Sequence, residues 1–365
     1  MANTFITPSV VAREALMILE NNLVAANLFD RSHVTDFTGA KVGDTITIRG
    51  PAAFTANEFT TTTSTQNITE TSVSLTLEKH FDVTVGVTSK EWTLNLDQFS
   101  QRVIQPAVAA IAQGIDSYIL TKASQQLYNF VGTAADPPDS LSDMAAIDKK
   151  LNDLKCPVAG RIAIVNSQAK SDILSNVTEF TRADYRGDDG DALRTAGMGE
   201  FLGMQWYMDQ NVASVTSSMS SYLVNSASVA IGDSSVVVDT GSGTPVAGDL
   251  FTVAGDTQQY TVVSYATSTI TFSPTAKVAW ADNAAITAIA THASNLAGDR
   301  RGLSLAIVPL ELPAGSSDAE YIADRDLGIR VVYDYASSTK TDTISFDVLC
   351  GAVVQQPDLL TQVLG

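Results

Sequence analysis

The sequence predicts an α+β fold with a small β-barrel inserted into its second half. Apolar residues recur at helical spacing over residues 97–129, and period-two alternation marks strands around residues 45–49. Residues 225–291 instead carry several short strands separated by Gly and Asp turns, a pattern typical of a small barrel or sandwich. Because helical and mixed segments precede these short strands and further strands follow them, we interpret the barrel as an insertion.

The first element is a helix over residues 7–29. Thr7 is a suitable N-cap, and Pro8 stands at the first helical position, where its missing N–H costs nothing. The apolar residues that follow near helical spacing are Val11, Ala15, Leu16, Ile18, Leu19, Leu23 and Leu28. A helix this apolar must be buried against this chain or against a neighbouring one.

The next segment alternates with period two, and we predict strands at 45–49, 73–77 and 81–88. Residues 51–72 join the first two strands and are rich in Thr, whose branched side chain favours extended backbone. Connections of this length are uncommon in compact domains unless they are functional or disordered. We therefore predict a long, exposed two-stranded arm that a partner covers, with a disordered loop as the alternative.

The longest predicted helix covers residues 97–129. Asp97 is its expected N-cap, and Pro106 predicts a kink because the apolar spacing continues on both sides. A helix over 141–154 and a strand over 161–166, followed by another helix, indicate an α/β region.

Strands are predicted within the insertion at 236–238, 250–253, 260–263 and 269–272. Three more strands, at 303–308, 327–335 and 343–354, are predicted to close the chain, with Pro357 ending the last one.

Charge is scarce and unbalanced along the 365 residues. Forty acidic residues against 22 basic ones give a net charge of −18, and only 17% of residues are charged, compared with roughly 25% in an average domain. The chain therefore lacks the clustered Lys and Arg of a DNA-binding surface. Residues 1–20 have no basic region before an apolar run, and no long uninterrupted apolar stretch occurs. We expect neither a secretory signal nor a membrane span, and a reducing, intracellular origin.

The residues that usually carry chemistry are dispersed. His33, His80 and His292 are far apart, and the two cysteines, Cys156 and Cys350, are interpreted as buried free thiols. The acidic segment 186–191 lacks the ligand spacing of a calcium loop, and the glycine-rich segments at 197–203 and 241–243 are interpreted as turns. We therefore predict a protein that is not an enzyme and that binds no cofactor and no metal.

The order of these elements resembles the major capsid proteins of tailed double-stranded-DNA phages, which share the Hong Kong 97-type fold. The N-terminal helix, the extended loop, the spine helix from Asp97 and the strand RIAIVN (161–166) carry this resemblance. AGDLFTVAG (247–255), YTVV (260–263) and ITFSP (270–274) resemble the inserted β-barrel of the podovirus-type subgroup. NLAGDRRGLSLA (295–306) is similar to the segment that re-enters the core.

The resemblance covers nearly the whole chain and implies six regions. These are an N-terminal arm and helix (1–40), a long two-stranded extended loop with flanking strands (41–90), a peripheral domain with the spine helix (91–155), the first part of an α/β axial domain (156–224), the inserted barrel (225–291) and the return strands of the axial and peripheral domains (292–365).

The resemblance also implies a function. Copies of the chain would assemble as hexamers and pentamers into the icosahedral shell of a virion, inside the host bacterial cytoplasm. The shell would enclose double-stranded DNA without binding it specifically, and its lumenal face would be neutral to acidic. A scaffolding protein and a portal protein are implied partners, and no membrane is involved. Contacts between subunits are expected at Leu16, Leu19, Leu23, Arg49, Phe54, Glu58, Phe59, Arg300 and Arg301.

Other classes of protein stay open. One is a non-viral, self-assembling β-rich protein of the surface-layer or adhesin type, and another is a scaffold-bound hydrolase. The barrel could also be an independent binding module, with its Thr/Ser surface and Trp280 directed at carbohydrate.

Overall fold

The structure is a computed structural model that describes residues 8–34, 37, 45–52, 54–59, 61, 63, 65–68, 70–88, 100–182, 195–225, 229–313, 319–324 and 327–365. The predicted N-caps Thr7 and Asp97 and the acidic segment 186–191 lie outside these residues. The predicted mixture of helices and strands is confirmed, and so is a closed barrel in the second half.

The helices in chain order are α1 (Pro8–Asn22), α2 (Ala25–Leu28), α3 (Gln105–Gln126), α4 (Leu141–Asp153), α5 (Ser167–Asn176) and α6 (Thr178–Thr181). A π-helical turn lies at Ser100–Ile104, and 3-10 turns lie at Arg300–Gly302 and Pro357–Leu359. The strands are β1 (Thr45–Arg49), β2 (Ser72–Thr76), β3 (Lys79–Thr88), β4 (Phe130–Val131), β5 (Arg161–Val165), β6 (Gly199–Phe201), β7 (Met204–Met208), β8 (Ser214–Val215), β9 (Tyr222–Val224), β10 (Ser235–Asp239), β11 (Leu250–Val253), β12 (Gln259–Ala266), β13 (Thr269–Ser273), β14 (Ala285–Ala288), β15 (His292–Asp299), β16 (Leu303–Val308), β17 (Ala319–Asp324), β18 (Leu327–Ala336), β19 (Thr341–Val354) and β20 (Leu360–Leu364).

The chain forms two compact units, each built from several segments. Unit 1 comprises Met1–Glu20, Arg31–Ile111 and Leu303–Gln356, and unit 2 comprises Asn21–Asp30, Ala112–Gly302 and Pro357–Gly365.

Strand β19 is the central element of unit 1. It pairs antiparallel with β3 over residues 341–350, with β18 over 341–347 and with β16 over 349–354. The β19 residues that pair with β3 include residues that also pair with β18 and with β16. β3 therefore lies on the opposite edge of β19 from those two strands. β17 extends the sheet beyond β18.

The α/β region of unit 2 is a sheet of order β4-β20-β15-β5-β7-β6 with helices packed on it. All five residues of β5 are buried, as expected of a strand covered on both faces. Buried residues of α4 and α5, including Ile147 and Ile173, pack in one core with Val165 of β5 and Trp206 of β7. Ser140 and Asn166 accept backbone N–H groups in the first turns of α4 and α5, which sets where each helix begins.

The inserted barrel of unit 2 closes in the order β10-β13-β12-β11-β14-β9. Its core contains the rings of Phe251, Tyr260, Phe272 and Trp280, with the Tyr260 ring centroid 5.1–5.5 Å from the other three. The Tyr260 hydroxyl and the Trp280 indole N–H both donate to the carboxylate of Asp256. Trp280 is therefore buried in the barrel core, so it does not form a carbohydrate-binding platform on the surface.

The chain enters and leaves the barrel through two paired strands. Ser214 and Val215 of β8 lie opposite Ala293 and His292 of β15, and we call this pairing the clasp. The barrel also contacts the α/β sheet of the same unit. Leu250 of β11 packs with Phe130 of β4 and Leu364 of β20. The amide of Gln259 accepts the backbone N–H of Phe130 at 2.9 Å and donates to the carbonyl of the same residue at 2.9 Å, as a neighbouring strand would.

The helix predicted over 7–29 is interrupted. α1 ends at Asn22, and the short helix α2 begins at Ala25. The carboxylate of Asp116 accepts the backbone N–H of Val24 at 2.8 Å and of Ala26 at 2.9 Å. A side chain distant in sequence thus satisfies N–H groups at the start of α2, which local periodicity cannot reveal.

The C-terminal strands also differ from the prediction. The segments 292–299, 319–324 and 360–364 form three strands that the pattern does not indicate. Pro357 does not simply end β19. It begins the 3-10 turn that leads into β20, whose five residues are all buried and therefore show no alternation.

A kink is predicted at Pro106 within a helix over residues 97–129, but the α-helix α3 begins at Gln105, so Pro106 lies in its first turn. A π-helical turn precedes α3, and Pro106 is the second residue of that helix, where a missing N–H is tolerated. One helical stretch of the described chain, Arg102–Gln126, is long and apolar enough to cross a membrane by length and composition. More than half of its apolar window is buried inside the protein, as in the core helix of a folded domain.

Asp116 generates a prediction about pH. Burial raises its pKa to about 6, although the N–H groups of Val24 and Ala26 act in the opposite direction. The folded state therefore holds this proton more tightly than the unfolded state, so the contribution to stability is present at acidic pH and is lost as the pH rises from about 4 to 6. The loss is up to about 3 kcal/mol. Asp116→Asn cannot ionise and should flatten this dependence, as measured by urea unfolding between pH 4 and 7. The exposed Asp282→Asn should keep it, and an identical profile for both variants would contradict the assignment.

Gly351 generates a prediction about packing. A Cβ at this position in β19 would overlap the backbone carbonyl of Thr76 at the end of β2. Gly351→Ala should therefore lower the free energy of unfolding by about 1–3 kcal/mol. At Gly86 of β3 an added Cβ meets only the Thr341 methyl group, at 3.3 Å. Gly86→Ala should leave the free energy of unfolding unchanged or slightly higher, and equal losses for the two variants would count against close approach at Gly351.

Candidate subunit-contact surface

A two-stranded ribbon made of β1 and β2 projects from the core of unit 1. The strands pair antiparallel over five residue pairs, from Thr45 opposite Thr76 to Arg49 opposite Ser72. Ile48 and Leu75 are buried on one face, in a cluster with Val34, Ala306 and Val353. The opposite face is exposed. The ribbon is therefore anchored by its inner face and leaves its outer face free to contact another molecule.

The connection between the two strands, residues 50–71, is named the ribbon tip. Among its described residues there is no strand, so pairing along the predicted arm is confined to its base. Thr55 and Gln66 hold the two sides together: the Thr55 N–H donates to Gln66 Oε1 at 2.9 Å, and the Gln66 amide donates to the Thr55 carbonyl.

Three large apolar side chains of the ribbon tip face solvent. Phe54, Phe59 and Ile68 are 62%, 68% and 72% exposed. Aromatic residues are enriched where proteins contact one another, so the exposed Phe54 and Phe59 are candidates for such a contact. Phe54 and Phe59 were expected at a contact from the sequence, whereas Ile68 was missed although it is an isolated apolar residue in a Thr-rich segment.

The charged residues expected at contacts are also exposed. Arg49 Nη1 lies 3.6 Å from Glu70 Oε2, and both side chains are largely in solvent. An exposed pair of this kind stabilises the fold by less than about 1 kcal/mol, so Arg49 remains available for another partner. Glu58 is exposed in the ribbon tip.

The three leucines expected at contacts are placed differently. Leu16 and Leu19 of α1 and Leu23 at its end are all buried within the chain. A buried side chain offers no surface to a neighbour, so we do not carry these leucines into the proposed contact set. Of the two alternatives that the apolar helix left open, the structure shows burial against this chain.

Arg300 and Arg301 occupy the 3-10 turn between β15 and β16. Arg301 donates to both oxygens of Asp299, at 3.0 and 2.9 Å, while its side chain stays exposed. Burial alone would raise the pKa of Asp299, but the hydrogen bonds and charge of Arg301 outweigh it and hold that pKa below its usual range. Arg300 is exposed. The turn thus exposes two neighbouring cations, Arg301, which is paired with Asp299, and Arg300.

The dispersed chemical residues do not come together. Among the described residues, no group of three or more His, Cys, Asp or Glu side chains could hold a metal ion. Cys156 and Cys350 are both buried free thiols, and burial raises the pKa of Cys350 to about 12. His80 lies 3.9 Å from Asp347 in unit 1, and His292 is buried in unit 2.

The fold matches solved structures of phage particles. A chain from Mycobacterium phage Che8 is 16% identical, with a TM-score of 0.55 over 93% of this chain and 90% of that one. A chain from the capsid of Ralstonia phage GP4 is 8% identical, with a TM-score of 0.51 over 88% of this chain and 83% of that one. No protein-family model matches the sequence, and no curated protein matches it significantly. At these identities the likeness shows a shared fold, and the resemblance to phage capsid proteins is confirmed at that level.

Proposed function

We propose that this chain is the major capsid protein of a tailed phage. The observation that carries the proposal is the fold shared with a chain of the Ralstonia phage GP4 capsid along most of both chains. In this proposal copies of the chain assemble as hexamers and pentamers into an icosahedral shell of the Hong Kong 97 type. The shell forms in the bacterial cytoplasm, encloses double-stranded DNA and becomes the wall of the virion. The protein is structural and not an enzyme.

The ribbon provides the contact between neighbouring subunits in this proposal. Its inner face is fixed to unit 1 by Ile48 and Leu75, so the ribbon tip is held away from its own core. Phe54, Phe59 and Ile68 are exposed to solvent in a single chain. In the assembly they would be buried against an adjacent subunit. Arg49, Glu58, Arg300 and Arg301 would provide charged contacts at the rim.

The remaining regions are assigned by position. α3 is the spine helix of the peripheral domain, the sheet around β5 belongs to the axial domain, and the closed barrel is the inserted domain. The barrel includes β9 (Tyr222–Val224), so it begins before the boundary predicted at residue 225. A scaffolding protein and a portal protein are the proposed partners. A surface-layer or adhesin-type assembly is the alternative function.

Expression in bacteria with and without a scaffolding protein, followed by negative-stain imaging, tests the proposal. Closed shells of uniform size are expected. Flat lattices would favour the surface-layer alternative. Stable monomers at high concentration that hydrolyse ester or phosphate substrates would refute a capsid role.

The ribbon tip generates a prediction about assembly. Phe54→Ser combined with Phe59→Ser should raise the protein concentration needed for assembly by at least about tenfold, because two aromatic anchors are lost. The melting temperature of the unassembled chain should not change, since both side chains are exposed. Val158→Ser is the control, because Val158 is equally exposed but lies outside the ribbon. Light scattering measures the threshold, and an equal shift for the control would contradict the role of the tip.

The charge generates a prediction about DNA. With a net charge of −18, the purified chain should not retain double-stranded DNA in about 0.15 M salt, because the excess of acidic residues repels the phosphates. A gel-shift titration measures this. Binding at micromolar concentrations that weakens steeply with salt would show a basic surface and would refute a neutral to acidic lumenal face.

A further inference from the structure

Two connections of the barrel run side by side, one joining β9 to β10 and the other joining β13 to β14. Val229 and Trp280 exchange backbone hydrogen bonds of 3.1 and 3.0 Å across them, and the Gly232 N–H donates to the Ala276 carbonyl at 2.8 Å. Val229, Ala276 and Trp280 are buried in the barrel core. These links hold residues 230–233 and 277–279 in place, and we name these residues the barrel corner.

The barrel corner exposes apolar side chains. Ile231 and Val278 are 69% and 41% exposed, and Ala230 and Ala279 beside them are exposed as well. Ile231 occupies the second position of a turn in which the Asp233 N–H donates to the Ala230 carbonyl at 3.1 Å. Gly, Pro, Asn, Asp and Ser dominate turn positions, so the turn itself does not account for an isoleucine there.

Two charges of opposite sign border the apolar side chains. Asp233 and Lys277 are both exposed. Lys277 is the only lysine or arginine between Arg194 and Arg300 in the sequence. Asp233 Oδ2 accepts the Ala230 N–H at 2.8 Å, which fixes the carboxylate at the turn. In the described part of the chain, neither Asp233 nor Lys277 takes part in an ion pair, so both charges are available to a partner.

This distribution of charge selects a second copy of the chain as the partner. Two chains of net charge −18 repel each other, so they meet favourably where acid faces base or where neither carries charge. In a contact with twofold symmetry the same patch faces itself. Asp233 of each copy then faces Lys277 of the other, with the apolar side chains between them. A purely acidic partner would be repelled by Asp233, and a purely basic one by Lys277.

We propose that the barrel corner binds the barrel corner of a second copy across a twofold axis. Ile231 and Val278 of the two copies form the apolar centre, and two Asp233–Lys277 ion pairs form the rim. Because the patch is small, one such contact is weak by itself and gains strength when several act together in an assembly. The contact uses residues outside the ribbon, so this inference does not rest on the proposed function.

Sedimentation equilibrium of the full-length chain, at concentrations up to about 1 mM, measures the contact. Every sample carries Phe54→Ser and Phe59→Ser, so that association through the ribbon tip does not mask it. The chain should form dimers. Adding Ile231→Ser and Val278→Ser should raise the dimer dissociation constant at least about tenfold, because four apolar side chains are no longer buried.

Val263→Ser is the control for this measurement. Val263 is 49% exposed in the same barrel but lies in β12, outside the barrel corner. The control should dimerise as the chain with the unmodified corner does. A chain that stays monomeric over the whole concentration range, or an equal shift for the control, overturns the proposal.

An exchange of charges tests the twofold arrangement. Lys277→Asp leaves two acids at each corner and Asp233→Lys leaves two bases, so each variant alone should dimerise more weakly than the unmodified corner. An equimolar mixture of the two should recover the dissociation constant of the unmodified corner, because every acid then faces a base. A mixture that dimerises no better than the separate variants would refute the pairing.

Asp233→Lys also removes the acceptor of the Ala230 N–H, so the melting temperatures of the variants are compared first. If this variant does not fold, Asp233→Asn, which keeps an acceptor, takes its place. Its mixture with Lys277→Asp should still dimerise more tightly than either variant alone, because one acid–base pair forms and no like charges face each other. The absence of this gain would equally overturn the proposal.

Discussion

The pairing of β19 along both edges is the constraint on which unit 1 depends. β3 occupies one edge over ten residues, and β18 and β16 share the other. The ribbon packs Ile48 and Leu75 against residues of β16 and β19, so its base is fixed to strands that are themselves fully paired. A ribbon mounted on a frayed edge strand would move with that strand. Because the ribbon is anchored on fully paired strands, it can hold its exposed apolar side chains at a defined position. Less conformational entropy is then lost when a partner covers those side chains.

Several of the few basic residues are paired with acidic residues of the same unit. The guanidinium of Arg161 is buried and donates to Asp148, Asn152 and two backbone carbonyl oxygens. Arg330 pairs with Asp347 at 2.6 Å, and Arg301 pairs with Asp299. Several of the 22 basic residues therefore neutralise acids within their own unit and contribute little field outside it. Each pair removes one acid and one base, so the net charge of −18 is unchanged, and this net charge disfavours adhesion to phosphate.

Local sequence patterns predict the strands whose residues alternate. They fail where contacts between residues distant in sequence determine the structure. Leu250–Val253 and Leu303–Val308 occur as predicted, because period-two alternation or an apolar run is bounded by turns. β20 follows a proline and is buried on both faces, so nothing local marks it. The break between α1 and α2 depends on Asp116, which lies in another helix. Of the candidate contacts, Phe54 and Phe59 are conspicuous as aromatic residues in a polar segment, whereas the burial of Leu16, Leu19 and Leu23 depends on packing within the chain, which helical spacing cannot distinguish from packing against a neighbour.

The clasp holds the two ends of the barrel segment side by side. Only two residue pairs join the entering strand to the leaving strand, with Ser214 opposite Ala293 and Val215 opposite His292. Chain ends held side by side in neighbouring strands lie about 5 Å apart, so removing everything between them leaves a gap that a short turn can close. The clasp is therefore a natural splice point for protein engineering. A fluorescent protein or an enzyme with adjacent termini could be exchanged for the barrel there, with the sheet on one side of the junction left continuous.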